Sequence, residues 1–112
     1  MIEAYESGRI VIDGKKYTSD VIVLPDRVDD SWWRKEGHNL CIEDIELVMK
    51  EEPEIVIVGT GVNGQMRVPE ETREYIESKG ANLVVEPTRR ACDIYNQVSK
   101  KAKVVAALHL TC

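Results

Sequence analysis

The sequence predicts a small layered α/β domain in which a β-hairpin packs on a sheet covered by helices. The C-terminal half alternates apolar runs and amphipathic segments in the order strand, helix, strand, helix, strand. The N-terminal half places an Asp-Gly turn between two short extended runs, which is typical of a hairpin. With 112 residues, 43% of them apolar and 31% charged, the chain is long enough for one core. We therefore predict a single domain over residues 1–112.

The predicted hairpin joins Arg9–Ile12 to residues 16–18 through Asp13 and Gly14. A two-residue type I′ turn needs positive φ at both central positions, and Asp-Gly satisfies that requirement. The apolar residues 21–24 form the next predicted strand. The N-terminal half therefore reads as an antiparallel unit followed by a helix.

The C-terminal half reads as a parallel unit, because short connections favour right-handed crossovers between neighbouring strands. A continuous apolar strand is typical of burial on both faces. Pro69 suits the first position of a helix, and Thr88 can cap the last one. The predicted elements are a helix around residues 42–49, a strand at 54–59, a helix at 69–79, a strand at 83–86, a helix from 88 and a strand at 103–110.

Charge and composition exclude several classes of protein. The net charge is −5 and the isoelectric point is about 5.1, whereas nucleic-acid binding needs clustered Lys and Arg. No apolar run is long enough to span a bilayer, and the N-terminus resembles no signal peptide. We therefore expect a cytoplasmic protein that contacts neither nucleic acid nor membrane. An odd number of cysteines indicates free thiols.

An apolar run is followed by Gly59, Gly61 and Gly64, which have the G-x-G-x-x-G spacing of a dinucleotide site. Glu86 lies 22 residues beyond Gly64, close to where a ribose-binding acid belongs. In that motif, however, the helix opens within the glycines, and here Pro69 puts the helix start five residues later. The chain is also too short for two mononucleotide-binding halves. Dinucleotide binding is therefore disfavoured, and we predict no cofactor.

A weaker ligand hypothesis remains. The glycine loop, residues 59–64, follows a central strand, where open α/β sheets place ligand crevices. The helix that starts near Thr88 should open on the same edge and could hold a small anion, unless Arg89 and Arg90 are merely solvated. The candidate ligand-binding residues are Gly59, Thr60, Gly61, Gly64, Thr88, Arg89, Arg90 and Asn96.

Metal binding and covalent catalysis have little support. His38 and Cys41 form one H-x-x-C pair and His109 and Cys112 another, but a zinc site requires that the pairs meet in space. Cys92 lies in the first turn of a helix, where the dipole could lower its pKa, although a cysteine there is usually a small core residue. We predict no metal and no catalytic residue.

Trp32 and Trp33 lie in a long polar stretch, residues 26–39. Loops of this length are usually functional or packed by their own side chains. Tryptophan is enriched at binding hot spots, so an exposed ring would mark a partner surface. The alternative is that one ring closes the loop over the core and the other lies half exposed.

Several short motifs recur in order along the chain. They are Trp32-Trp33-Arg34 with Glu36-Gly37-His38, Gly59-Thr60-Gly61, Val68-Pro69, Thr88 with Ala91 and Tyr95-Asn96, and the run AALHLTC at residues 106–112. Together they resemble the Mth938-type domain family, which includes an archaeal prototype, an adipogenesis-linked protein and a mitochondrial complex I assembly factor. The resemblance covers about residues 10–112.

The resemblance implies a three-layer α/β fold with a mixed central sheet and an added β-hairpin layer. It implies no established catalytic activity, because members of the family are mostly uncharacterised or act through protein partners. The resulting hypothesis is a non-catalytic interaction or assembly module that binds an unknown protein partner through Trp32 and Trp33. The alternative is a small-ligand, nucleotide or anion-binding protein, with or without enzymatic activity, that uses residues 59–64. The sequence also allows a homodimer without naming its interface.

Overall fold

The computed structural model describes all 112 residues, which form two sheets and three α-helices. The smaller sheet is antiparallel, with the order β1-β2-β3. Asp13 and Gly14 both have positive φ, 49° and 81°, as the hairpin prediction requires. The strands of this smaller sheet are β1 (Ile2–Glu6), β2 (Arg9–Ile12) and β3 (Lys15–Tyr17).

The sequence did not predict β1. Ile2 and Tyr5 both face the core although they are three residues apart, because the pairing register shifts between Ile2 and Ala4. A β-bulge of this kind destroys the two-residue alternation on which strand recognition depends.

The larger sheet has five strands in the order β5-β4-β8-β6-β7. The interior strand β6 pairs in parallel with β7 and β8, whereas β4 pairs antiparallel with β8 and β5. The predicted mixed central sheet is therefore confirmed. Its strands are β4 (Val21–Val23), β5 (Val28–Asp29), β6 (Ile55–Thr60), β7 (Asn82–Glu86) and β8 (Val104–His109).

The helices cover both faces of this sheet. Helix α3 packs between the two sheets, in a core that includes Ile10, Tyr95 and Leu108. The opposite face carries α1, α2 and a short 3-10 helix, in a core that includes Leu40 and Ile76. This arrangement is the expected three-layer fold with an added β-layer. The helical bounds are Ile42–Ile45 for the 3-10 helix, Glu46–Lys50 for α1, Glu70–Ser78 for α2 and Thr88–Val98 for α3.

Two helix starts differ from the sequence prediction. Pro69 precedes α2 as its N-cap instead of opening it, a difference of one residue. Thr88 is the first residue of α3, and the preceding Pro87 occupies the cap position without a side-chain hydrogen bond. The predicted capping role of Thr88 is therefore wrong, because its hydroxyl bonds to the ends of β6 and β8 instead. None of the helices has the length and apolar character needed to cross a bilayer.

Candidate functional site

The glycine loop and the start of α3 meet at the carboxyl edge of the parallel strands, and Thr88 joins them. Its Oγ1 accepts a hydrogen bond from the Gly61 N–H at 2.8 Å and donates to the His109 carbonyl at 2.5 Å. The Thr88 N–H donates in turn to the Gly61 carbonyl at 3.0 Å. Thr88 is fully buried, so these bonds connect the ends of β6, β8 and α3 within the core.

The glycines of the loop allow the chain to approach itself closely. A Cβ on Gly61 would lie 2.3 Å from the Thr111 carbonyl oxygen, and its φ of +105° is strained for any other residue. A Cβ on Gly59 would lie 2.9 Å from Thr88 Oγ1. The chain's own residues therefore fill the space beside these glycines.

The other candidate residues of this loop have packing contacts as well. Thr60 Oγ1 donates to the Glu86 carbonyl at 3.1 Å and so links the ends of β6 and β7. Gly64 has a positive φ of +68°, and its N–H donates to the Gly61 carbonyl at 3.3 Å. Glu86, at the position that a ribose-binding acid would take in a dinucleotide site, contributes its backbone carbonyl to this network.

The remaining candidates of the ligand set are Arg89, Arg90 and Asn96. The Arg89 guanidinium lies 5.6 Å from the centre of the Tyr5 ring, and Arg90 is exposed. Asn96 binds the edge of β1, where its side-chain amide donates to the Ile2 carbonyl and accepts from the Ile2 N–H, both at 2.8 Å. The structure therefore joins Gly59, Gly61 and Thr88 but gives Asn96 a strand-covering position.

The two tryptophans lie in a loop, residues 30–38, that we call the tryptophan loop. Trp33 is 76% exposed. Trp32 is half-buried against the core beneath α1 and α2, and its indole N–H donates to the Asp44 carbonyl at 2.9 Å. One ring therefore closes the loop over the core, and the other projects from the protein.

Asp44 anchors one side of this loop. It is buried within the 3-10 helix, and its carboxylate accepts hydrogen bonds from the Lys35 N–H at 3.0 Å and the Cys41 N–H at 2.8 Å. Together with the Trp32 indole N–H, three hydrogen-bond donors in and next to the tryptophan loop therefore bind Asp44.

Arg34 anchors the other side through a buried polar cluster with Asp20 and His109. Arg34 Nη1 donates to Asp20 Oδ2 at 2.6 Å, and His109 Nδ1 lies 2.8 Å from the same oxygen. The second carboxylate oxygen accepts from the Leu110 N–H at 2.8 Å. The Arg34 guanidinium also stacks over Trp32, 4.9 Å from the ring centre.

Electrostatics within this cluster favour the charged form of Asp20. Burial alone would raise the pKa of its carboxyl, but hydrogen bonds from His109, the Leu110 N–H and Arg34 outweigh burial and lower the pKa to about 2. Arg34 and His109 each have a 7% exposed side chain, and none of the three main surface cavities reaches them. The arrangement can hold the loop in place, and the side chains of Arg34 and His109 are almost fully buried within it.

Sequence reasoning missed this cluster. Asp20 precedes a strand, Arg34 lies in a loop and His109 ends β8, so 89 residues of chain separate Asp20 from His109. The only available signal was Arg34 beside the tryptophans. Two nitrogens of the buried polar cluster, Arg34 Nε and His109 Nε2, have no hydrogen-bond partner.

The cysteine and histidine pairs do not form a shared site. His38 is exposed whereas His109 faces Asp20, and no group of three His, Cys, Asp or Glu side chains is arranged to hold a metal. Burial, together with the neighbouring Asp93, raises the pKa of the Cys92 thiol to about 12. The surroundings of Cys92 therefore raise its pKa, and Cys92 is a core residue.

The sequence profile of a family described as "Protein of unknown function (DUF498/DUF598)" matches residues 2–109. A conserved hypothetical protein from Pyrococcus horikoshii OT3 is 25% identical, with a TM-score of 0.86 over 100% of this chain and 99% of that chain. The structure called MT938 is 27% identical, with a TM-score of 0.82 over 100% of this chain and 98% of that chain.

A Mth938-like domain from Bordetella pertussis, 18% identical, shares the fold with a TM-score of 0.71 over 98% of this chain and 85% of that chain. The predicted resemblance is therefore confirmed. The chain belongs to the DUF498/DUF598 family of proteins of unknown function and has the Mth938-like fold.

Proposed function

We propose that this protein is a non-catalytic interaction module that binds a protein partner through Trp33. The observation that carries the proposal is the 76% exposure of this ring on a loop whose neighbouring side chains are anchored. A large apolar ring costs free energy when it faces water, and tryptophan is among the residues most enriched at binding hot spots.

The anchoring supports binding because it limits the entropy lost on association. Trp32 is held by Asp44, and Arg34 is held by Asp20. The residues on either side of Trp33 are therefore ordered before a partner arrives. Immobilising a flexible side chain on binding costs about 0.5–1.5 kcal/mol, and a preorganised loop avoids part of that cost.

Affinity capture from native lysate tests the proposal, with wild type, Trp33→Ala and Val62→Ala compared in parallel. Val62 is the matched control, because it is also an exposed apolar side chain, 42% exposed, but lies in the glycine loop. We expect a stoichiometric partner that wild type and the Val62 variant retain and the Trp33 variant loses. Failure of wild type to capture any partner, or equal capture by all three, would contradict the proposal.

The proposal includes a cytoplasmic site of action. Its support is that Cys41, Cys92 and Cys112 are all free thiols, as is usual in a reducing compartment. Cell fractionation with an antibody against the native protein tests this part, and recovery outside the cytoplasmic fraction would contradict it.

A second proposal is the binding of a small anion. The observation that favours it is a cavity of about 560 Å³ lined by Lys16, Arg89 and the Arg9–Glu6 ion pair. It lies beside Tyr5 instead of the glycine loop. Titration with inorganic phosphate, followed by amide NMR shifts, tests it. Saturable shifts that disappear in Arg89→Ala would support the site, and non-saturating shifts would argue against it.

A further inference from the structure

The strand edges of this protein differ in how well they are protected. Unpaired edges invite pairing with another chain, so proteins usually shorten, charge or cover them. Asn96 covers both backbone groups of Ile2 on β1, β3 has three residues of which two are lysines, and β5 has two residues. The edge strand β7 has five residues, Asn-Leu-Val-Val-Glu, with neither lysine nor proline.

The free backbone groups of β7 belong to Leu83 and Val85. The Asn82 N–H donates to the Glu54 carbonyl at 2.9 Å, and the parallel register continues in step to Glu86. In a parallel ladder only alternate residues bond to a given neighbour, so Asn82, Val84 and Glu86 bond to β6. The N–H and C=O groups of Leu83 and Val85 therefore point away from β6, toward the open edge of the sheet. No backbone group of a loop forms a hydrogen bond with them.

These four groups complement those of a second copy. In an antiparallel pair centred on Val84, Leu83 lies opposite Val85 of the other copy, and each such pair exchanges two hydrogen bonds. The two copies thus satisfy all their free edge groups, and the two Val84 residues meet as the intervening non-hydrogen-bonded pair. A strand whose free groups lie symmetrically about its centre fits a twofold axis.

We propose that β7 pairs with β7 of a second copy of this chain to form a continuous ten-stranded sheet. The proposal is independent of the Trp33 surface, since the tryptophan loop lies outside β7. The side chains support the same register, because the exposed Asn82 lies opposite Glu86 of the other copy, and an amide donor there meets a carboxylate acceptor. Pairing also covers Leu83 and Val85, which are only partly buried.

Introducing a negative or a positive charge at Asn82 tests this register, because the exposed side chain contributes nothing to the core. Asn82→Glu places like charges opposite each other at two symmetric positions, and Asn82→Lys places opposite charges there. We expect dimerisation to weaken roughly 2- to 30-fold with Glu and to strengthen by a comparable factor with Lys. Sedimentation equilibrium of the full chain over a wide concentration range, at moderate salt, measures both.

Amide hydrogen exchange provides the second measurement. In wild type, the Leu83 and Val85 amides should become more protected as protein concentration rises, while the Val84 amide, already bonded to β6, should not change. A wild type that stays monomeric at high concentration overturns the proposal. So does a dimer whose association constant is the same in both Asn82 variants, because its interface would lie elsewhere.

Discussion

Replacing Asp20 with Asn removes the charge that holds the buried polar cluster together. Asparagine has almost the same shape and retains an acceptor for the Leu110 N–H. It cannot balance the charge of Arg34, whose side chain is 7% exposed. The substitution therefore leaves a buried cation without a partner, which is the costly way to break an ion pair.

The expected loss of unfolding free energy follows from the proton affinity of the Asp20 carboxyl and from its burial. The pKa of Asp20 falls from 3.8 to about 2, and each tenfold change in proton affinity corresponds to about 1.4 kcal/mol, so the charged carboxyl contributes about 2 kcal/mol. Breaking a buried pair typically costs about 3–5 kcal/mol. Because the Asp20 side chain is 19% exposed, we expect Asp20→Asn to lower the free energy of unfolding by about 2–4 kcal/mol at neutral pH.

Urea unfolding at neutral pH measures this loss, and Asp26→Asn serves as the control. Asp26 also forms an ion pair, with Arg27 at 3.0 Å, but its side chain is 75% exposed. Surface pairs contribute little, so the control should unfold like wild type. An Asp20 variant as stable as the control would refute the assigned role of the cluster.

The pH dependence of the free energy of unfolding tests the same role of Asp20. A carboxyl with a depressed folded pKa contributes stability above its unfolded pKa and loses it as the pH falls through the folded pKa. Wild type should therefore lose the Asp20 contribution between about pH 4 and pH 2, and the difference from Asp20→Asn should shrink over that range. A difference that stays constant down to pH 2 would place the stabilisation elsewhere.

Three further predictions concern the glycine loop and the thiols. Gly61→Ala should destabilise by roughly 2–4 kcal/mol because its Cβ would lie 2.3 Å from a backbone oxygen, whereas Gly37→Ala, with nothing within 4 Å, should be nearly neutral in urea unfolding. Thr88→Val should cost about 2–3 kcal/mol because it leaves two buried backbone groups unpaired, and thermal unfolding of an otherwise unchanged fold measures it. Cys112 should react quickly with a thiol reagent at neutral pH, and Cys92, whose pKa is raised to about 12, should react only on unfolding; early labelling of Cys92 would contradict its burial.

Local backbone chemistry made much of this fold predictable. Asp13-Gly14 predicts its turn because few other residues tolerate two successive positive φ values. The continuous apolar run of β6 predicts a central strand, and the segments that follow it predict the parallel unit that the structure contains. Each signal is carried by neighbouring residues, so it is readable without tertiary contacts.

Tertiary structure decided what those residues do. The G-x-G-x-x-G spacing is local, but whether Gly61 faces a ligand or Thr111 depends on where a segment 50 residues later returns. The exposure of Trp33 depends likewise on the anchoring of its neighbours by Asp20 and Asp44. Pairings between distant residues have no period and no turn signal, because they arise only when the packed chain brings those residues together. The sequence by itself therefore determined most of the elements and the fold class, but not β1 or β5. The packing of the elements decided the buried polar cluster, the closed glycine loop and the exposed surface.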